Sequence, residues 1–178
     1  MKNPVIKETL SWVIHIAIAV AIGLIIVNFV IQRTIVDGQS MEPTLQNADN
    51  LWVEKLTPKF GKLKYGDIVT IDVPEKVGEE RSPLIKRVIG VEGDSIEIRN
   101  GKVYLNNKEL NENYIGDNIT APDYEKITVP KDCVYVLGDN RENSRDSREI
   151  GPVEIKKISG KAIFRFLPLN KFGPIKSK

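Results

Sequence analysis

The sequence predicts an antiparallel, mostly β domain carried on a single N-terminal transmembrane helix, and three observations support that prediction. Residues 12–31, WVIHIAIAVAIGLIIVNFVI, form an apolar run of bilayer length interrupted only by His15 and Asn28. Beyond it the apolar runs are short and broken every eight to twelve residues by Gly, Pro, Asn or Asp, the spacing of antiparallel β domains. Finally, Asn100-Gly101 joins two such runs as a two-residue loop, where both central residues tolerate the positive φ of a type I′ turn.

The apolar run comes first. At about 1.5 Å per residue, Trp12 to Ile31 would extend about 30 Å, the thickness of a hydrocarbon core. A cleaved secretory signal has a shorter apolar region followed by a small-residue cleavage site. This run ends in Ile31-Gln32-Arg33-Thr34, which favours a retained anchor. Lys2, Lys7 and the α-amino group precede it, whereas Arg33 is the only nearby cation after it before Lys55. The positive-inside bias therefore places residues 1–11 in the cytoplasm and residues 32–178 outside the cell membrane. The roughly 145 residues beyond the anchor suffice for one domain with its own core.

The strands follow in order. Asp67 to Val73 alternates and is β-branched, and Leu84 to Val91 has the same character before Gly93-Asp94, so both read as core strands. Ser95 to Arg99 and Lys102 to Leu105 flank the Asn100-Gly101 turn, and Asn106-Asn107 returns the chain through Lys108-Glu109-Leu110. Later strands at Cys133 to Leu137 and Lys161 to Phe166 close the sheet system. Asn111 to Asp123 is polar and turn-rich and reads as a mobile surface excursion. Val73-Pro74 to Ser82-Pro83 is a charged, proline-bounded loop. Neither segment is expected to contribute to a site.

Composition narrows the function classes. The formal net charge is +2 with acids and bases interleaved, so the basic footprint of a nucleic-acid binder is missing. The last stretch concentrates Lys156, Lys157, Lys161, Arg165, Lys171, Lys176 and Lys178, read as a solvated face, with attraction to anionic headgroups as the alternative. Cys133 is the sole cysteine and has no neighbours at metal-ligand spacing, so it reads as a small buried apolar residue. No cofactor or metal is expected.

The chemistry begins at Ser40, in the run Ser40-Met41-Glu42-Pro43-Thr44, about nine residues beyond the anchor. The only histidine, His15, lies inside the anchor, and a Ser-His-Asp site needs its imidazole within hydrogen-bond reach of the nucleophile. A nucleophilic Ser40 therefore needs a lysine as base. Pro43 fixes its own φ and restricts Glu42, so a turn there can present the hydroxyl, although a lone serine in such a turn is more often a cap. Lys86-Arg87 supplies the second half. On a strand these adjacent cations point to opposite faces, and the inward one is desolvated. Burial lowers a lysine pKa from about 10.4 and so makes a usable base. A third block, Gly138 to Arg148, alternates hydroxyls, amides, carboxylates and arginines as a hydrogen-bonded scaffold does. Within it Asp146 can pair with Arg148 or Arg145, and Ser144 can donate to a neutral lysine amine.

Together these blocks resemble the bacterial type I signal peptidase family, Ser-Lys peptidases that cut signal peptides from exported proteins. The resemblance runs through the anchor, Ser-Met-x-Pro-Thr at 40–44, Gly66-Asp67-Ile68-Val69, Lys86-Arg87-Val88-Ile89-Gly90, and Gly138-Asp139-Asn140-Arg141 with Ser144-x-Asp146-Ser147-Arg148. It implies coiled antiparallel β-sheets, with Ser40 as nucleophile and Lys86 as general base. It further implies that Ser144 orients the lysine, that Asp146 and Arg148 brace the site, and that Arg87 and Asp139 are structural supports. Met41 and Pro43 are expected at the substrate pocket, with lipid contact the alternative for Met41. Some members carry a serine oxyanion donor two residues before the nucleophile, whereas Gly38 stands there in this chain. The Ser40 N–H, assisted by Gly38 or water, is expected to replace that donor. Gly38, one anchor and a short catalytic domain resemble the Gram-positive type.

The implied reaction is acyl transfer from a preprotein to Ser40 followed by hydrolysis, with substrate extended along a strand edge and small side chains before the cut. The implied partners are signal-peptide-bearing preproteins, membrane lipid and the export machinery. A LexA-like self-cleaving peptidase is disfavoured by the membrane span, and a tethered binding module by the presence of Ser40, Lys86, Ser144 and Asp146 together.

Overall fold

The computed structural model describes residues 4–72, 83–116 and 119–176. The chain opens with helix α1 (Pro4–Ile25), followed by a π-helical turn (Ile26–Val30) and strand β1 (Ile31–Ile35). Residues 7–25 have a mean hydropathy of 1.9, and none of their most apolar stretch is buried against the rest of the chain. Trp12, Ile16 and Leu24 are all more than half exposed. By length and composition this helix is a candidate membrane span. The expected helical boundary moves, because Ile31 is the first residue of a strand. Its run Ile31-Gln32-Arg33-Thr34-Ile35 alternates and pairs along its full length with β2 (Asn50–Glu54), from Ile31 opposite Glu54 to Ile35 opposite Asn50. Lys55 N–H closes the junction on Val30 O at 2.8 Å.

The remaining strands are β3 (Ile68–Ile71), β4 (Leu84–Val91), β5 (Ser95–Arg99), β6 (Lys102–Leu105), β7 (Lys108–Glu109), β8 (Tyr124–Thr128), β9 (Cys133–Leu137), β10 (Val153–Glu154), β11 (Ile158–Leu167) and β12 (Gly173–Pro174). Two single α-helical turns, α2 (Leu56–Lys59) and α3 (Ser147–Ile150), and two 3-10 turns, Ile155–Lys157 and Leu169–Lys171, complete the described elements. The larger sheet runs β1-β2-β11-β3-β4-β9-β10 with β12 beside β11, and the smaller runs β7-β6-β5-β8. All of these pairings are antiparallel. The protein is thus mostly β, as its turn spacing predicts.

The predicted strands at 84–91, 95–99, 102–105 and 133–137 are found at those residues. Asn100 and Gly101 both take positive φ, 51° and 75°, as the type I′ prediction requires. The first core strand is shorter than expected, ending at Ile71, and the proline-bounded loop at 73–82 lies outside the described residues. The last long strand begins at Ile158, and β8 was not foreseen.

β3 and β4 lie inside the larger sheet and are buried on both faces. One side packs with Val36, Met41, Leu45, Leu51 and Val53, and the other with Val88, Val134, Val136 and Ile158. β11 spans ten residues and shifts register at bulges against both β2 and β3, which bends it and curls the sheet. At Gly160 an added Cβ would lie 2.5 Å from Val53 Cγ1 and 2.6 Å from Glu54 O, so β11 approaches β2 at a distance only glycine permits.

The C-terminal cations do not form a bare basic face. Lys161 pairs with Asp67 at 2.8 Å, Arg165 with Asp49 at 3.1 Å, and Lys156 and Lys157 with Glu154. Cys133 is half-buried rather than buried, at the start of β9.

Candidate active site

Ser40 opens a turn between β1 and β2 in which Glu42 N–H donates to Gln39 O at 3.1 Å and Leu45 N–H to Met41 O at 2.9 Å. Met41 and Leu45 are fully buried and fasten the turn to the core. Met41, expected at the substrate pocket or against lipid, has its side chain packed into the core. Pro43 is exposed and lies outside the groove around Ser40.

Lys86 lies in β4, opposite Val69 of β3. Its Nζ is 2.7 Å from Ser40 Oγ and donates to Ile85 O at 2.9 Å. The first distance suits an ammonium donating to the hydroxyl oxygen and equally a serine O–H donating to a neutral amine. Burial pulls the lysine pKa down from 10.5 to about 8, against the carboxylates of Asp146 and Asp139, which favour the charged form. About a tenth of the amine is therefore neutral at pH 7, against far less for an ordinary lysine.

Alternation predicts one inward cation, yet Lys86 and Arg87 are 2% and 1% exposed. Both faces of β4 are covered. Arg87 is matched by a bidentate pair with Asp139, Nε to Oδ1 at 2.8 Å and Nη2 to Oδ2 at 2.7 Å. It also donates to Gly66 O and to Thr44 Oγ1. On its open side the ring of Tyr114 lies 4.0 Å from the guanidinium carbon.

The third block surrounds this pair. Arg148 grips Asp146 through Nε and Nη2, both at 2.8 Å, and Gly138 N–H donates to Asp146 Oδ2 at 3.0 Å. Burial pushes the Asp146 carboxyl up, but the guanidinium and the amide outweigh it and hold the pKa below the ordinary value. Arg145, the alternative partner, pairs with Glu149 instead at 3.0 Å. Ser144 Oγ is buried beside the Asp146 carboxylate, which it helps to hold in the charged form, and not on the lysine amine, whose partners are Ser40 Oγ and Ile85 O. The Ser144 hydroxyl lies directly over Gly138, where an added Cβ would collide with it and come within 2.5 Å of Ser40 O.

Gly38 takes φ 88° two residues before Ser40, and its N–H already donates to Asn47 Oδ1 at 2.9 Å. Ser40 N–H is thus the backbone donor left to serve an oxyanion without breaking that bond. A groove of about 530 Å³ opens over these residues, lined by Asp37, Gly38, Gln39, Ser40, Asn47, Leu84, Lys86, Asn143 and Arg145. His15 is within α1 and donates to or accepts from nothing near this groove; its Nδ1 meets Ser11 O at 2.7 Å.

The segment read as a surface excursion contributes after all. Glu112 holds Arg141 through both guanidinium nitrogens, at 3.0 and 2.5 Å, and Thr120 Oγ1 accepts from the same arginine. Arg141 Nε donates to Gly138 O at 2.9 Å, and Arg148 Nη1 to Ala121 O at 2.7 Å. A polar loop with single charges offers no periodic signal, and only the mate of each charge, distant in sequence, reveals its use.

A model of the signal peptidase family, peptidase S26, matches residues 9–167. The chain is similar to signal peptidase I P of Bacillus subtilis subsp. natto, at 37% identity over 176 residues covering 93% of this chain and 92% of that protein. It is 36% identical over 172 residues to signal peptidase I of Bacillus licheniformis, covering 90% of each. With signal peptidase IB of Staphylococcus aureus it shares 34% identity over 183 residues, covering 93% of each. A solved structure of a signal peptidase I from Enterococcus faecalis matches with 28% identity and a TM-score of 0.48, covering 56% of this chain and 96% of that one. The family match extends from within the apolar helix past the Ser40, Lys86 and Asp146 blocks, and on that ground the chain belongs to the signal peptidase family, peptidase S26.

Proposed function

We propose that this peptidase is a membrane-bound serine endopeptidase that removes N-terminal signal peptides from exported preproteins through a Ser40-Lys86 dyad and an acyl-enzyme. The observation that carries the reading is the 2.7 Å approach of a buried, readily neutralised amine to the serine hydroxyl. Neutral Lys86 takes the Ser40 proton as Oγ attacks the scissile carbonyl, and the resulting ammonium returns a proton to the departing amine. The acyl-enzyme is then hydrolysed by water activated through the same lysine. Ile85 O holds the amine in line throughout.

Ser40 N–H faces the developing oxyanion, a donor of a kind worth about 2.7–4 kcal/mol in a serine protease. Substrate lies extended in the groove. β1 is the edge strand of the larger sheet and leads directly into residues 37–40, so main-chain pairing along that edge brings a peptide to Ser40. The small-x-small preference is carried from the family resemblance.

Membrane placement rests on α1 and on the face beside it. Trp52 stacks on Phe166 with centroids 4.9 Å apart, Phe164 meets Phe172 at 4.8 Å, and Arg33 lies over Phe166. These rings occupy the outer side of β1, β2 and β11, immediately after the helix, where an aromatic belt suits the headgroup region. The cation asymmetry puts the N-terminus in the cytoplasm and the catalytic domain outside. Signal-bearing preproteins, lipid and the export machinery are the partners of this reading.

The test is cleavage of a preprotein bearing a small-x-small site by the detergent-solubilised full chain, beside Ser40→Ala and Lys86→Ala. Processing by the parent alone is expected. Processing by either variant removes the dyad.

A further inference from the structure

Two buried arginines, Arg87 and Arg141, and the half-buried Arg148 each touch residues 112–116 or 119–121. Tyr114 covers Arg87, Glu112 and Thr120 hold Arg141, and Ala121 O accepts from Arg148. The segment is tied to itself and to the domain, for Tyr114 Oη donates to Glu112 Oε1 at 2.8 Å and meets Tyr65 Oη at 3.3 Å. Each arginine in turn holds a part of the site. Arg87 clamps Asp139, Arg148 clamps Asp146, and Arg141 fixes Gly138 O. The turn that follows Gly138 grips the nucleophile's own backbone, since Asn140 N–H donates to Ser40 O at 3.1 Å and its side-chain amide to Gln39 O at 3.3 Å.

We propose that residues 112–116 and 119–121 act as a positioning strap for the Ser40-Lys86 pair, with Tyr114 and Glu112 as its positioning residues. The inference rests on the dyad reading above. Tyr114 does two things that a filler residue would not. Its π face meets a guanidinium whose N–H groups go to Asp139, Gly66 and Thr44, and its ring separates Arg87 from a cavity of about 420 Å³ lined by Tyr65, Lys108, Glu109, Leu110, Asn111 and Asn113. Removing the ring joins that cavity to the ion pair and lets water reach the inner side of β4. Asp139 and Asp146 are the carboxylates that act on Lys86, and Arg87 and Arg148 are their counter-charges. Hydration there loosens the clamp that holds Asp139 and relieves the burial of the neighbouring lysine. Glu112 acts differently, as the only carboxylate bonded to the fully buried guanidinium of Arg141 among the described residues. Deleting its charge leaves a buried cation unmatched, which threatens folding, so Tyr114 is the better test.

The experiment compares full-length Tyr114→Ala and Tyr114→Phe with the parent, in detergent, on one preprotein, reading kcat, KM, the pH profile of kcat/KM and the melting temperature. Tyr114→Ala is expected to lower kcat on the order of tenfold, to leave KM within about twofold because the groove is elsewhere, and to move the alkaline-rising limb of the profile to higher pH. Tyr114→Phe keeps the π face and is expected to recover most of kcat and the parent profile. A folded Tyr114→Ala with parental kcat and profile overturns the strap, as does a Phe variant no better than Ala. Should Tyr114→Ala not fold, Tyr114→Leu is read by the same criteria. Activity surviving in Ser40→Ala or Lys86→Ala would instead defeat the dyad reading, so the two failures are distinguishable.

Discussion

Lys86 and Arg87 are consecutive on β4, both are buried, and their surroundings treat them in opposite ways. Arg87 has a full set of acceptors and a ring above it, so it remains a cation. Lys86 has a carbonyl and a hydroxyl within reach and, among the described residues, no carboxylate bonded to it, so burial makes its neutral form accessible. One strand thereby carries a permanent charge for structure and a removable proton for chemistry.

That removable proton sets the pH dependence. With Lys86 at about 8, kcat/KM should rise with pH and level off above that value, because only the neutral amine can accept the serine proton. Lys86→Arg should lose activity by about 10²–10⁴-fold or more at every pH, since arginine does not deprotonate in this range. A flat profile between pH 6 and 9, or turnover retained in the arginine variant, would contradict the role of Lys86 as base.

Burying the lysine should also cost stability. Its folded pKa of about 8 lies below its ordinary 10.5, so the penalty is fully present below pH 8 and is relieved as pH rises from 8 towards 10.5, where the unfolded chain still binds the proton. The gap corresponds to about 3 kcal/mol. Lys86→Met should accordingly melt at a higher temperature than the parent at pH 7, with the difference shrinking towards pH 10. A variant less stable at pH 7 would show that the lysine's hydrogen bonds outweigh its desolvation.

Asp146 has the opposite sign. Its folded pKa lies below the ordinary value, so its stabilising effect is present at neutral pH and is lost only as pH falls from the unfolded value through the lower folded one. Asp146→Asn should reduce stability by about 3–5 kcal/mol, because Arg148 is left largely buried without its partner, and activity should fall with it. An unchanged melting temperature at pH 7 would refute the bracing role.

Trp52 offers a direct measure of membrane contact, since it and Trp12 are the two tryptophans of the chain. Trp12→Phe leaves Trp52 as the sole indole. In vesicles of brominated lipid its fluorescence should be quenched most strongly by bromines nearest the headgroups, where an aromatic belt lies. Emission typical of water with no quenching would place the outer face of β1 and β2 away from the bilayer.

Much was legible before folding because it depends on local pattern alone. A 20-residue apolar run, β-branched alternation at 84–91 and an Asn-Gly turn each have one economical backbone solution, and the model adopts all three with the helix end shifted at Ile31. That only a lysine could serve Ser40 followed from where the single histidine stands. What local pattern could not reveal was which side chains the chain would cover. Met41 belongs to the core, Ser144 sits on Asp146 and not on the lysine, Gly38 spends its N–H on Asn47, and a loop of scattered polar residues reaches across to the buried Arg87 and Arg141 and to Arg148. Desolvation and charge pairing depend on neighbours brought from 20 to 100 residues away. Local pattern was enough for the apolar helix, most of the strands and the choice of Ser40 and Lys86 as candidate nucleophile and base. That Lys86 is dry enough to favour its neutral form came only from packing, because burial is a property of the packed whole and of no single segment.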